Sequence, residues 1–139
     1  MSARDLGELC AALRARYGLA VDEDDLCASV TTGCGPLLLT WRAGDRLIHL
    51  LQTTPVRADA GDAARILRIN ARLGWAAFTL DDETGVLGLA THAFAADDGT
   101  IDAALVARLI QMAQKVATSH LRRLGTGAIR GETFAWVVD

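Results

Sequence analysis

The stretch that decides the fold is Asp62–Thr91, DAARILRINARLGWAAFTLDDETGVLGLAT. It predicts one helix, Asp62 to Leu73, followed by two strands, Trp75 to Leu80 and Val86 to Thr91. An acidic turn ending in glycine, Asp81-Asp82-Glu83-Thr84-Gly85, closes the strands into a hairpin. The helix is unusual. At about 100° per residue, Ala63, Ala64, Ile66, Leu67, Ile69, Ala71 and Leu73 fill an arc of roughly 220°. Arg65, Arg68 and Arg72 share the narrow stripe that remains, and Asn70 falls inside the apolar arc. A helix lying on one sheet needs an apolar face only somewhat wider than ~100°. The excess predicts a second covering surface, and hence protein contact as the business of the chain.

Working outward, Ser2-Ala3-Arg4-Asp5 reads as an N-cap, followed by Leu6, Leu9, Cys10, Leu13 and Tyr17 at helical spacing. Gly18 fits the position just past that helix, so the first helix spans Ala3 to Tyr17. Leu19 to Asp25, with Asp22-Glu23-Asp24-Asp25, reads as a solvated linker, since it lacks the alternating ligands and mid-loop glycine of a calcium loop. Leu26 to Thr32 is a weak strand. Gly33-Cys34-Gly35-Pro36 is a turn, and Leu37–Arg42 and Arg46–Thr53 form a hairpin about Ala43-Gly44-Asp45. Pro55 is expected to end the second of these strands, and Asp59 or Asp62 to cap the central helix. After a loop from His92 to Gly99, Thr100 is expected to cap a final helix from Ile101 to Leu124, which Gly125 and Gly127 end. The order α-β-β-β-α-β-β-α predicts an α+β fold, an antiparallel sheet with helices mainly on one face. Residues 1–124 form one domain, and 125–139 an apolar tail that packs as a strand or arm.

Composition bounds the function. The chain is 51% hydrophobic and 22% charged, so it folds around a core. A net charge of −3 gives no overall attraction to nucleic acid or anionic membrane, and no apolar run is long enough to span a bilayer. The acidic residues at the amino terminus do not fit a signal peptide, so a cytoplasmic location is expected. Thirteen of the fourteen basic residues are arginine, which with abundant alanine suggests a GC-rich bacterial source.

Chemistry-bearing residues are scattered. His49, His92 and His120 share no metal-ligand spacing with each other or with Cys10, Cys27 and Cys34. His49 alternates with Leu47 and Leu51 as a strand histidine does. The cysteines read as reduced thiols, with a redox role for Cys27 and Cys34 as the alternative. A Cys34–His49 pair would lack a third member. No cofactor, metal or catalytic set is therefore expected. The alternative function is nucleic-acid or small-ligand binding, through the sheet face or through the Arg65-Arg68-Arg72 stripe beside Trp75, which offers phosphate contact and base stacking against the acidic overall balance.

The element order, with Ile66-Leu67-Arg68-Ile69-Asn70, Phe78-x-Leu80-Asp81 and Gly85-x-Leu87-x-Leu89, resembles the YbjN-type proteins and the type III secretion chaperones. That resemblance implies a non-enzymatic, chaperone- or adaptor-like homodimer that binds a partner protein, in regulation or stress response. It assigns Ile66, Leu67, Ile69, Asn70 and Leu73 to the dimer contact. Trp75, Phe78, Phe134 and Trp136 are the candidates for partner binding, and the aromatic tail is a departure from the family pattern.

Overall fold

The structure, a computed structural model, describes residues 2–24, 27–58, 60–124 and 130–131. Strand β1 (Ser2–Ala3) precedes helix α1 (Leu6–Tyr17), then β2 (Val21–Glu23), β3 (Cys27–Thr32), β4 (Gly35–Arg42) and β5 (Leu47–Arg57). Helix α2 (Ala63–Leu73), β6 (Ala77–Leu80), β7 (Val86–Phe94), β8 (Ile101–Asp102), α3 (Ala103–Leu124) and β9 (Arg130–Gly131) follow. The main sheet is antiparallel with strand order β2-β3-β4-β5-β7-β6, and β9 pairs with the end of β5. The expected α+β class, with its antiparallel sheet, is the observed one.

Registers divide the sheet into two faces. On one, Val30, Leu37, Gln52, Leu89 and Phe78 align across five strands, next to the row Ala28, Leu39, Leu50 and Thr91. All nine are buried. Helices α1 and α3 cover this side, α1 against β2, β3 and α3, and α3 against β5 and β7. Leu9, Leu13, Val106, Ile110, Ala113 and Ala117 supply the helical half of the core. At 22 residues α3 is about 33 Å long, enough to cross the sheet.

Several local expectations give way to longer-range contacts. Helix α1 is capped by Asp5, whose Oδ1 accepts from the Glu8 N–H at 2.8 Å, and not by Ser2. Ser2 and Ala3 instead pair with Asp102 and Ile101. Gly18 does close the helix, in the left-handed conformation that L side chains rarely adopt. The linker expected at Leu19–Asp25 contains β2, held by Arg14, which donates from Nε and Nη2 to the Val21 carbonyl at 3.1 and 2.9 Å. Pro55 does not end β5. It falls where the register to β7 shifts, while the Thr54 hydroxyl donates to the Leu87 carbonyl at 2.6 Å and accepts from the Val56 N–H at 3.2 Å. Strand β6 starts at Ala77, two residues later than expected, and β7 continues through Phe94. Asp102, not Thr100, receives a first-turn amide of α3, from Ala104 at 3.0 Å.

The expectations for Leu26, the Asp59 cap, Gly125 and Gly127, and the packing of Phe134 and Trp136 fall outside the described residues. The tail does contribute β9, whose Gly131 and Arg130 pair with Val56 and Arg57.

Candidate functional site

The crossover from β5 through α2 to β6 places α2 beside the edge of the sheet. Strands β5 and β6 both run antiparallel to β7 and are therefore parallel to each other. The outer edge of β6 is closed by Asn70. Its Nδ2 donates to the Phe78 carbonyl at 3.1 Å, and its Oδ1 accepts from the Phe78 N–H at 2.7 Å. One side-chain amide thus makes the two bonds that a neighbouring strand residue would have made.

This arrangement sorts the residues assigned to a dimer contact. Ile66 is buried in its own core, Ile69 and Leu73 are half-buried against it, and Asn70 is engaged with Phe78. Leu67 alone stands out, 66% exposed. The wide apolar arc is thus covered only along the stripe Ile66-Ile69-Asn70-Leu73, and most of what is left is the alanines 63, 64 and 71. Arg65, Arg68 and Arg72 are exposed, and the Arg68 Nε donates to the Ala64 carbonyl of its own helix at 3.3 Å. Phe78 is buried, with its ring edge-on to His120 of α3 at a centroid distance of 5.9 Å.

Trp75 is half-buried, and its carbonyl accepts from the Thr91 hydroxyl at 2.7 Å. With His49, His92, Ala77 and Ala90 it lines a depression of about 300 Å³ on the sheet face away from α1 and α3. That face is the sheet surface named as the alternative site for a small ligand. Its central row is Ser29, Leu38, Leu51, Ala90 and Ala77, flanked by the row Cys27, Thr40, His49 and His92 and by Arg42, Leu47 and Phe94. Leu38 is 36% exposed and Phe94 65%. A second depression, about 410 Å³, lies between Leu38, Leu51, Thr79 and Val86. Gly88 forms part of its floor, and a Cβ there would come within 2.9 Å of Leu51 Cδ1. Charged strand residues on this face lie towards its periphery: Asp22, which pairs with Ser29 at the β2 edge, and Arg42 and Arg57, one near each end of the central strands.

The signal for this surface lies in the leucine runs. Leu37-Leu38-Leu39 and Leu47–Leu51 are apolar at both parities, the pattern of strands covered on two faces. The described helices cover one.

The reactive side chains do not assemble. Cys34 is buried against α3, its Sγ 3.2 Å from the Thr118 hydroxyl, while His49 faces the opposite side of the sheet, so no thiol–imidazole pair forms. Burial pushes the Cys34 thiol up, partly offset by Thr118. Burial, with Glu23 nearby, pushes Cys10 up to about 11. His49 is shifted down by burial and by the positive charge of Arg42 and His92. Among the described residues no three histidine, cysteine, aspartate or glutamate side chains cluster as metal ligands. Gln52, fully buried in the core, has a structural role. Its Nε2 donates to the carbonyls of Gly35 and Thr53, and its Oε1 accepts from the Thr32 hydroxyl.

Among the described residues no helix is long and apolar enough to cross a membrane. No curated protein and no solved structure is significantly similar to the chain. One family model does match, over residues 5–125, from the cap of α1 to just past the end of α3. With that span and this fold, the chain belongs to the YbjN family, described as "putative bacterial sensory transduction regulator".

Proposed function

We propose that the protein is a non-enzymatic regulatory module that works by binding proteins, as a chaperone- or adaptor-like homodimer. The observation that carries this reading is the helix-free sheet face, with Leu38, Leu47, Leu51 and Phe94 aligned on it. Leucines in register on a sheet face that no described helix covers, with its charged residues at the periphery, form the kind of patch that soluble monomers avoid. Both edges of the sheet bear side-chain hydrogen bonds, Arg14 at β2 and Asn70 at β6, which favours recognition through a face over addition of a strand. A second copy meets the requirement with an isologous contact, leucine row against leucine row. The α2 contact suggested by family resemblance is the second reading, and it now rests mainly on Leu67.

Sedimentation equilibrium separates the two. Wild type is expected to be dimeric at micromolar concentration, Leu38→Asp monomeric and Leu67→Asp still dimeric. A wild-type mass of one chain at every concentration would refute the homodimer. Loss of the dimer in Leu67→Asp but not Leu38→Asp would move the contact to α2. Ile69→Asp is a poorer probe, since Ile69 packs against its own core and its loss would destabilise the protomer itself.

A further inference from the structure

Charge is segregated in this protein. Helix α3 contains Arg108, Lys115, Arg122 and Arg123 and no carboxylate, and α2 contains Arg65, Arg68 and Arg72 and no carboxylate. Two helices thus hold seven of the fourteen basic residues of a chain whose net charge is −3, leaving the other elements at −10. The two helices converge on Phe78, whose backbone Asn70 binds and whose ring His120 meets.

On α3, Arg108 and Lys115 are exposed on one stripe, seven residues and about 10.5 Å apart along the helix. Neither Arg108 nor Lys115 forms an ion pair among the described residues, whereas Arg4 and Arg14 pair with Glu8 and Glu23. The stripe borders a depression of about 650 Å³ lined by Arg108, Gln111, Met112, Lys115 and Ser119 among others. Leu105, 42% exposed, lies one heptad before Met112.

We infer that this face of α3 is a docking site for an acidic amphipathic helix of a partner protein. The inference rests on the protein-binding reading and names the chemistry of the partner. An α-helix with carboxylates at seven-residue intervals repeats at the spacing of Arg108 and Lys115, because both helices rise equally per residue. Its apolar positions would cover Leu105 and Met112, which a phosphate backbone has no means to use. Gln111 and Ser119 supply neutral donors to the same carboxylates. The absence of carboxylates from the whole helix removes the like-charge repulsion that would reject such a partner.

The test uses the full-length protein and a fluorescent acidic peptide of about three heptads, leucine at core positions and glutamate at flanking ones. Its glutamine counterpart and a single-stranded oligothymidylate serve as comparison probes. Anisotropy at low salt is expected to show binding of the acidic peptide and at least ~10-fold weaker binding of the other two. Arg108→Glu with Lys115→Glu should reduce peptide affinity by at least ~10-fold, with circular dichroism and the urea midpoint unchanged. Arg108→Gln with Lys115→Gln is the milder variant, expected to lose less. Sedimentation of the same variants keeps the two readings apart, since the dimer should survive both. An intact dimer that does not bind the peptide, or binds it equally well after charge reversal, overturns the inference and leaves the protein-binding reading standing. Tighter binding of the oligonucleotide, abolished by charge reversal, overturns it in favour of nucleic acid.

Discussion

Replacing Asn70 with alanine probes the junction between α2 and the sheet. The mutation removes two hydrogen bonds, at 2.7 and 3.1 Å, and leaves the N–H and carbonyl of Phe78 facing the methyl of an alanine. A typical bond contributes ~0.5–1.5 kcal/mol net, and a polar group left unpaired away from water costs ~1–3 kcal/mol. The Asn70–Phe78 hydrogen-bonded pair is part-buried at the sheet edge, so some water replaces the amide, and a loss of about 2–3 kcal/mol is expected. Urea titration of Asn70→Ala measures it. Hydrogen exchange places it, since the Phe78 amide should exchange faster while those of Leu50 and Leu89 keep their protection relative to global stability. Asn70→Asp sharpens the test. Ionised aspartate can accept from the Phe78 N–H but repels the carbonyl, and protonated aspartate can serve both. Its carboxyl should therefore titrate above the ordinary range in the folded state, and the variant should regain stability relative to wild type as pH falls. A loss under ~0.5 kcal/mol in Asn70→Ala, with Phe78 exchange unchanged, would refute the idea that Asn70 stands in for a strand.

Other measurements follow from the core and the sheet face. His49 is shifted below its ordinary 6.5, so as pH falls through that value the unfolded chain takes up the proton first. Wild type should lose stability across that window, and His49→Gln should flatten the slope; an identical slope in both would contradict the burial of this imidazole. With Cys10 and Cys34 buried and their thiols shifted up, thiol titration of the native protein should label Cys27 first and reach all three only on unfolding. Leu50→Ala, in the centre of β5 beneath α3, should cost about 2–5 kcal/mol in urea melts, whereas Leu67→Ala on the outer side of α2 should stay within ~0.5 kcal/mol of wild type.

The elements most legible in the sequence are those with strong local period or punctuation. Helix α2 and the acidic turn between β6 and β7 are read almost to the residue, because Gly74 and Gly85 stop the chain where the pattern stops. Strand β2 is not legible, because two of its three residues are carboxylates and its existence depends on pairing with β3. The start of α1 offers two caps, Ser2 and Asp5, three residues apart. The choice is made by β8, a hundred residues away, which takes Ser2 and Ala3 into a strand pair. The candidate site divides in the same way. The excess apolar arc of α2 is real as a pattern, but alanines fill much of it, so its uncovered bulk is one leucine. The helix-free sheet face is written in Leu37-Leu38-Leu39, where no single strand of a one-sided sheet needs all three. Asn70 illustrates what sequence withholds. Its role depends on β6 lying at an edge, a fact of topology and not of local pattern.

The separation of the two proposed surfaces bears on how such a protein could regulate without chemistry. The leucine rows lie on one face of the sheet, and the cationic stripe of α3 lies on the outer side of the helix covering the other. A ligand on α3 therefore does not compete sterically with a contact through Leu38 and Leu51. Binding energy can pass between them only through residues that touch both layers, and β5 supplies these by alternation, Leu50 beneath α3 and Leu51 on the open face. The close fit of Gly88 under Leu51 makes that position sensitive to small shifts of β7 against β5. If the two surfaces are coupled, peptide binding should shift the dimer constant, dimerisation should by reciprocity shift peptide affinity by the same factor, and Gly88→Ala, which displaces Leu51, should change that factor. Equal peptide affinity in the monomer and the dimer would show the surfaces to be thermodynamically independent, with the sheet acting as a rigid partition between them.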